Sequence, residues 1–155
     1  MPILTPEQRA FLDQARTATL ATVRPAGGAR LVPICFALSP DDDAGRPILY
    51  TPLDEKPKRS ADVHDLARVK DILVLPEVAL LVDRWDEDWS RLAWLRLYGT
   101  AELLEPQPHE VNEHALAVEL LRKQYAQYAT HALEQRPMIR IRVDRALGWT
   151  ATPRP

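Results

Sequence analysis

Residues 78–97 read VALLVDRWDEDWSRLAWLRL, a segment that places two tryptophans and four acids between two apolar runs. The runs Val78–Val82 and Ala93–Leu97 have β character and predict two strands, so the segment between them predicts a hairpin loop. A hairpin loop that serves only solubility normally uses Gly, Asn or Asp rather than large aromatic residues. Trp85 and Trp89 therefore indicate either core packing or the flat apolar wall of a binding site.

The composition indicates one globular domain, spanning residues 1–155, with 46% hydrophobic and 27% charged residues. A net charge of −2 argues against a nucleic-acid-binding protein. Cys35 is the single cysteine, which excludes an internal disulfide and favours a reducing, cytoplasmic location. Residues Met1–Arg9 do not resemble a secretory signal, and the apolar runs are much shorter than the ~20 residues of a membrane span. We therefore expect no membrane partner.

Patterns along the chain predict six strands and three helices. Thr5 with Gln8 predicts a capping box for a helix that starts at Pro6. The predicted strands are Thr17–Val23, Arg30–Leu38, Ile48–Leu53, Val78–Arg84, Leu92–Leu104 and Met138–Val143, and the later helices are Leu66–Leu73 and Pro108–Tyr128. Strands joined largely by local turns predict a mainly β (α+β) fold, a six-stranded antiparallel barrel with flanking helices.

The second predicted strand is apolar on both faces. Leu31, Pro33, Cys35 and Ala37 alternate with Val32, Ile34, Phe36 and Leu38. One face can fill the barrel interior, so the other needs a cover: a helix, a second subunit or a ligand. This pattern is our sequence-level reason to expect a dimer, with coverage by the long helix as the alternative. On the last strand, Arg140 and Arg142 lie opposite the apolar positions, and we interpret them as surface residues rather than a track for an anionic cofactor tail.

Several familiar chemistries lack their motifs. The four histidines show no ligand spacing, a lone cysteine cannot complete a zinc site, and Asp41–Asp43 lacks the pattern of a calcium loop, so we expect no metal. A nucleophile elbow and a Gly-rich phosphate loop are both absent from the sequence.

A cationic run follows the third predicted strand. Lys56, Lys58 and Arg59 come just after Leu49-Tyr50-Thr51, and Arg68 lies on the next helix. Clustered Lys and Arg donors can hold a phosphate without a Gly-rich loop. The alternative is a solvated charge run that balances neighbouring acids.

Five segments carry a resemblance to a known family: RLVPI (30–34), LYT (49–51), KPKR (56–59), PEVALLV (76–82) and DEDWSRL (86–92). The chain from about Phe11 to Trp149 resembles the pyridoxamine 5'-phosphate oxidase-like FMN-binding split barrels. It is similar in particular to their coenzyme F420-dependent branch, within the flavin/deazaflavin oxidoreductases.

The resemblance implies a six-stranded split barrel that forms a homodimer, with two cofactor sites at the subunit interface. The residues implied to bind the cofactor are Val32, Pro33 and Ile34 beside the ring, Thr51 close by, Lys56, Lys58, Arg59 and Arg68 at the phosphate, and Trp94. Trp94 stands where the flavin oxidases carry a polar residue, which weakens any assignment as a pyridoxamine phosphate oxidase. Asp71 and Leu75 stand where relatives often have asparagine.

These features together predict an oxidoreductase that transfers a hydride between bound coenzyme F420 or FMN and a small organic substrate. Because the cofactor carries the redox chemistry, we assign no catalytic side chain. Two alternatives remain open: a non-catalytic carrier of flavin or F420, and a haem-binding split barrel with His131 as its candidate axial ligand.

Overall fold

The computed structural model describes residues 1–53, 62–106 and 111–152. These ranges contain three α-helices: α1 (Pro6–Gln14), α2 (Ala67–Val74) and α3 (Val111–Gln124). They also contain seven β-strands: β1 (Ala18–Val23), β2 (Ala29–Ile34), β3 (Ala37–Leu38), β4 (Ile48–Pro52), β5 (Glu77–Arg84), β6 (Ala93–Leu104) and β7 (Met138–Thr150).

All seven strands belong to one antiparallel sheet in the order β2-β1-β5-β6-β7-β4-β3. The two edge strands, β2 and β3, are separated in sequence only by Cys35 and Phe36. Because the three Cα steps from Ile34 to Ala37 span at most about 11 Å, the two edges of the sheet must lie close together, and the sheet curls into a half-open barrel. The predicted fold class, a mainly β antiparallel barrel with flanking helices, is confirmed.

The strand count differs from the prediction because the single strand expected over Arg30–Leu38 is broken into β2 and β3. At the break, the amide of Phe36 donates to Oη of Tyr125 at 3.0 Å, and that hydroxyl donates to the carbonyl of Arg16 at 3.0 Å. A side chain thus takes the place of a ladder partner for the buried Phe36 amide. The chain can then leave one edge of the sheet and join the other.

Helix α1 begins as the sequence predicts. The backbone N–H of Gln8 donates to Oγ1 of Thr5 at 3.1 Å, and the N–H of Thr5 donates to Oε1 of Gln8 at 3.0 Å. The helix places Leu12 in the main core, where it packs at the end of the barrel at which β6 begins. Helix α2 contributes Val69 and Ile72 to the same core from the opposite half.

Helix α3 covers one part of the outer surface of the sheet. Its buried residues form a second core with Tyr50 of β4 and Met138 of β7. The predicted helix over Pro108–Tyr128 was too long, since α3 ends at Gln124 and a 3-10 turn follows; Pro108 lies outside the described residues. The three- and four-residue spacing of apolar residues predicts that Ala115, Val118, Leu121, Tyr125 and Tyr128 share the buried side. The structure confirms this for Val118, Leu121, Tyr125 and Tyr128, but it exposes Ala115 and buries His114 and Ala117.

Arg140 is buried, which corrects the interpretation of this residue as part of the surface. Its guanidinium pairs with Glu113 of α3 and, at 3.2 Å, with Glu102 of β6. Oη of Tyr50 donates to Glu113 at 2.8 Å; burial, then the bond to this carboxylate, raises the pKa of Tyr50. Arg142 is exposed, as predicted, and lies 3.4 Å from Glu102. These pairs fasten α3 to three strands.

Strand β7 continues seven residues beyond its predicted end at Val143. Its register with β6 shifts between Tyr98 and Gly99, which leaves Asp144 without a cross-strand partner in a β-bulge. A Cβ at Gly99 would lie 2.2 Å from the carbonyl oxygen of Arg142, so only glycine allows this close approach. The alternation of apolar and polar residues therefore changes phase at the bulge. For this reason the sequence pattern did not predict the part of β7 that follows Val143.

Among the helices in the described part of the chain, none is long and apolar enough to cross a membrane.

We predict that Tyr125→Phe destabilises the protein by about 1–3 kcal/mol, because it leaves the buried Phe36 amide without an acceptor. Urea unfolding followed by circular dichroism measures this change in the free energy of unfolding. Tyr98→Phe is the matched control, since the Tyr98 hydroxyl makes no hydrogen bond within the described residues. An equal, near-zero effect of both substitutions would contradict the role of the Tyr125 hydroxyl.

Candidate functional site

The outer face of the sheet that α3 does not cover carries apolar side chains in registered rows. One row runs across five strands through Pro33, Thr19, Leu81, Arg96 and Leu147. Leu81 is 40% exposed and Leu147 is 51% exposed. We call this surface the outer face of β2-β1-β5-β6-β7.

A second row of the outer face, beside the first, runs through Leu31, Ala21, Ala79, Tyr98 and Arg145. Leu31, on the edge strand β2, is 67% exposed. Large apolar side chains in adjacent rows make a continuous patch, and such patches on soluble proteins mark contact surfaces. The long helix covers this face at Cys35 and Ala37 but leaves Leu31 exposed, so coverage of the rest by a second subunit or a ligand stays a prediction.

Two arginines on the outer face lie over aromatic rings. The guanidinium carbon of Arg96 is 4.6 Å from the ring centre of Trp94, and that of Arg145 is 4.3 Å from the ring centre of Tyr98. Neither arginine has a carboxylate partner within the described residues. The patch thus combines flat apolar surface with positive charge, a combination that suits an aromatic anion.

The structure divides the predicted cofactor residues between two surfaces. Pro33 of β2 and Trp94 of β6 lie on the outer face, because they alternate with buried neighbours and pair with exposed positions. Val32 and Ile34 point to the opposite side and pack with the main core. Thr51 of β4 is buried, 2% exposed, between the core residues Leu49 and Leu53.

Trp94 and Thr51 also lie toward opposite ends of the sheet. Thr51 pairs with Ile139 of β7, which pairs with Leu103 of β6, nine residues after Trp94. At about 3.3 Å per residue, roughly 30 Å of strand separates the two levels. One protomer therefore does not bring these two predicted residues together.

The predicted phosphate-binding cations are described only in part. Lys56, Lys58 and Arg59 lie outside the described residues. Arg68 is half-buried on α2, which packs against β1 and β6. Their role in binding a phosphate stays a prediction.

A buried ion pair on α2, the helix that carries Arg68, was missed by the sequence analysis. Asp71 of α2, 2% exposed, accepts hydrogen bonds from Oγ1 of Thr22 at 2.7 Å and from Nε of Arg30 at 2.8 Å. Burial raises the pKa of Asp71, but the bonds from Arg30 and Thr22 outweigh it and lower the pKa below 3.8. The pair fixes α2 against β1 and β2. Its members are 41 or more residues apart in sequence, so no local pattern reveals it.

His64 links the segment before α2 to the end of β6. Its two ring nitrogens lie 2.7 Å from Oδ1 of Asp62 and 2.7 Å from Oε1 of Glu105. The hydrogen bond to Glu105, then that to Asp62, raises the pKa of the ring above 6.5. Within the described ranges, no three His, Cys, Asp or Glu side chains come together as a metal site.

The tryptophan hairpin between β5 and β6 is exposed, so its tryptophans are not core residues. Trp85 is 65% exposed and Trp89 is 68% exposed. The loop is nevertheless well bonded: Oδ1 of Asp88 accepts from Oγ of Ser90 at 2.7 Å, and Nε of Arg84 donates to the carbonyl of Arg91 at 2.7 Å. A role for these tryptophans in ligand binding stays a prediction.

A cavity of about 600 Å³ lies where α1, the hairpin and the ends of β6 and β7 meet. The described residues that line it are Glu7, Gln8, Ala10, Phe11, Gln14, Arg84, Ser90, Leu92, Ala93, Trp94, Leu95, Gly148, Trp149, Thr150 and Thr152. Of the predicted cofactor residues, Trp94 reaches this cavity.

Comparison with known protein families shows the family to which this chain belongs. The family model for pyridoxamine 5'-phosphate oxidase matches residues 4–150, so the chain belongs to that family, as the sequence resemblance predicted. No curated protein sequence matches the chain.

Solved structures share the fold. A conserved hypothetical protein of Mycobacterium tuberculosis is 19% identical with a TM-score of 0.68, over 97% of this chain and 87% of that one. The haem storage protein HutZ of Vibrio cholerae is 14% identical with a TM-score of 0.63, over 97% and 95%. An F420 reductase is 18% identical with a TM-score of 0.61, over 93% and 98%. At these identities the likeness shows the split-barrel fold, and the neighbours differ in what they bind.

We predict that Asp71→Asn lowers the free energy of unfolding at neutral pH by about 1–2 kcal/mol, a modest value because Arg30 is partly solvated. The lowered pKa of Asp71 gives a contribution that is complete above pH 3.8 and is lost as the pH falls through the folded value. Urea unfolding between pH 2 and 7 should show a shallower acid limb for the variant. Asp13→Asn, at an exposed carboxylate, is the control; identical acid limbs for Asp71→Asn and wild type would contradict the ion pair.

Proposed function

We propose that this protein is a homodimeric oxidoreductase that transfers a hydride between bound coenzyme F420 or FMN and a small organic substrate. Membership of the pyridoxamine 5'-phosphate oxidase family supports a flavin-type cofactor, and the F420 reductase among the structural neighbours supports a deazaflavin as the alternative.

The observation that carries the proposal is the exposed apolar outer face of β2-β1-β5-β6-β7. Pro33 and Trp94, two of the predicted cofactor residues, both lie on this face, whereas Thr51 is 2% exposed on the inner side of β4. A two-fold axis through the outer face would cover Pro33 and Trp94 of both copies, because a C2 interface repeats every contact in reverse. The apolar outer face supplies the surface that such a dimer would cover.

The residues of the proposed interface suit a flavin or deazaflavin cofactor. Pro33 and Leu31 give a flat apolar surface on an edge strand, beside which the ring would lie, and Trp94 would contact the ring from the partner copy. Arg68, with Lys56, Lys58 and Arg59, would hold the phosphate, since guanidinium and ammonium groups neutralise it and donate several hydrogen bonds.

Bound at this interface, the cofactor supplies hydride transfer at its ring. The protein would bind and orient it, and the covered outer face would exclude water from the ring. The Asp71–Arg30 pair would keep α2, and with it Arg68, in a fixed place relative to β2. We assign no general acid or base.

The haem alternative receives no support from His131. This residue lies in the turn after α3, with its ring packed edge-on against Tyr128 at 5.4 Å, on the covered side of the sheet. Absence of a Soret band after reconstitution with haem would remove the alternative. A carrier without turnover would bind the cofactor tightly and yet fail to accelerate its oxidation by any acceptor.

We predict that either FMN or coenzyme F420 binds with a Kd in the micromolar range, which corresponds to about −8 kcal/mol. Lys58→Ala should weaken this binding about tenfold, because it removes one charge-assisted contact to the phosphate. Fluorescence titration of the cofactor measures both values. Lys123→Ala, an exposed lysine at the end of α3, should leave the affinity unchanged. Equal affinities of Lys58→Ala and wild type would show that Lys58 does not hold the phosphate.

We predict that Leu31→Asp converts the dimer into monomers of 17.6 kDa, because it buries a carboxylate in the proposed interface. Light scattering coupled to size exclusion gives the mass. Leu73→Asp, on α2 and 63% exposed but away from the outer face, should remain dimeric. A dimeric Leu31→Asp variant, or a monomeric wild type, would refute the interface.

A further inference from the structure

We infer that the cavity under α1 is a binding site for a small planar aromatic carboxylate, the substrate class of the proposed enzyme. That the ligand is a substrate rests on the proposed function, whereas its binding depends only on the cavity. Its volume of about 600 Å³ is in the range of small-molecule sites.

The apolar part of the lining suits an aromatic ring. Phe11 of α1, Leu92 and Leu95 contribute to it, and Trp149 lies at the rim, 46% exposed. The floor at Gly148 carries no side chain, and a Cβ there would crowd Cδ1 of Leu95 at 3.2 Å. The cavity between α1 and β7 therefore depends on glycine at this position.

Arg84 supplies the positive charge at a fixed position. Its Nε donates to the carbonyl of Arg91 at 2.7 Å, and its guanidinium carbon lies 5.8 Å from the ring centre of Phe11. Its two terminal nitrogens make no hydrogen bond or ion pair within the described residues. A guanidinium that is held at Nε and on one face is pre-organised to bind a carboxylate through those nitrogens.

Gln8 adds a second donor. Its Oε1 accepts from the N–H of Thr5 in the capping box, which leaves the amide nitrogen to point elsewhere. That nitrogen would lie 3.3 Å from a Cβ at Gly148, at the floor of the cavity. It has no acceptor among the described residues. Two donor groups beside the apolar part of the lining favour a ligand with carboxylate oxygens.

Glu7 provides a test of the sign of the ligand charge, because it is the acidic residue among the described lining. Its carboxylate opposes an anionic ligand. Neutralising it should therefore strengthen the binding of a carboxylate, whereas it would weaken the binding of a cation.

The experiment is isothermal titration calorimetry of the full chain with 2-naphthoate and with its neutral analogue 2-naphthamide. We expect wild type to bind naphthoate at least tenfold more tightly than naphthamide. Arg84→Gln should remove this preference, and Glu7→Gln should increase it. Arg16→Gln is the matched control, since Arg16 also lies over an aromatic ring, that of Tyr125, but does not line the cavity.

A steric variant tests the location. Gly148→Val should abolish binding of both compounds, with Gly148→Ala, which meets only flexible side-chain ends, as the milder variant if the valine prevents folding. No naphthoate binding to wild type, an unchanged preference in Arg84→Gln, or unchanged binding in the folded Gly148 variant would each overturn the inference. Intact cofactor binding alongside any of these results would leave the proposed function standing. Naphthoate binding without cofactor binding would refute only the proposed function.

Discussion

The barrel depends on how the chain passes from one edge of the sheet to the other at Phe36. A buried amide that leaves a ladder needs another acceptor, and here the hydroxyl of Tyr125 supplies it while donating to Arg16. One hydroxyl thus joins the start of β1, the corner between the two edge strands and the end of α3. Without it the corner would carry an unpaired polar group in a core that is otherwise apolar.

The same corner decides where a ligand can bind. Because β2 and β3 meet there, the inner side of the sheet is filled by side chains, and α3 covers only the part of the outer side near β4. The outer face of β2-β1-β5-β6-β7 is left with exposed leucines and with arginines that lie over aromatic rings. Function is therefore expected on this face and at the end of the barrel beneath α1, rather than inside the barrel.

Local signals predicted local structure well. The capping box at Thr5 and the limits of β5 and β6 followed from residues close in sequence. The predictions that were wrong involve partners distant in sequence. The amide of Phe36 bonds to a residue 89 positions away. The charge of Arg140 is buried because Glu113, 27 positions away, neutralises it. Of the predicted site residues, the structure places Pro33 and Trp94 on the outer face, but the sequence could not show that Trp94 and Thr51 lie at distant levels. The pair Asp71–Arg30 and the cavity lined by Arg84 needed the three-dimensional arrangement.

The bulge opposite Gly99 determines whether the odd-numbered or the even-numbered residues of β7 face the solvent. Odd-numbered residues point inward up to Val143, and even-numbered residues do so from Ala146 onward. Arg145, Leu147 and Trp149 owe their outward direction to that single extra residue, Asp144. Shortening the strand by one residue there would reverse all three, bury an arginine and turn the cavity floor at Gly148 outward. The chemistry of both candidate surfaces is thus tied to the absence of one methyl group at position 99.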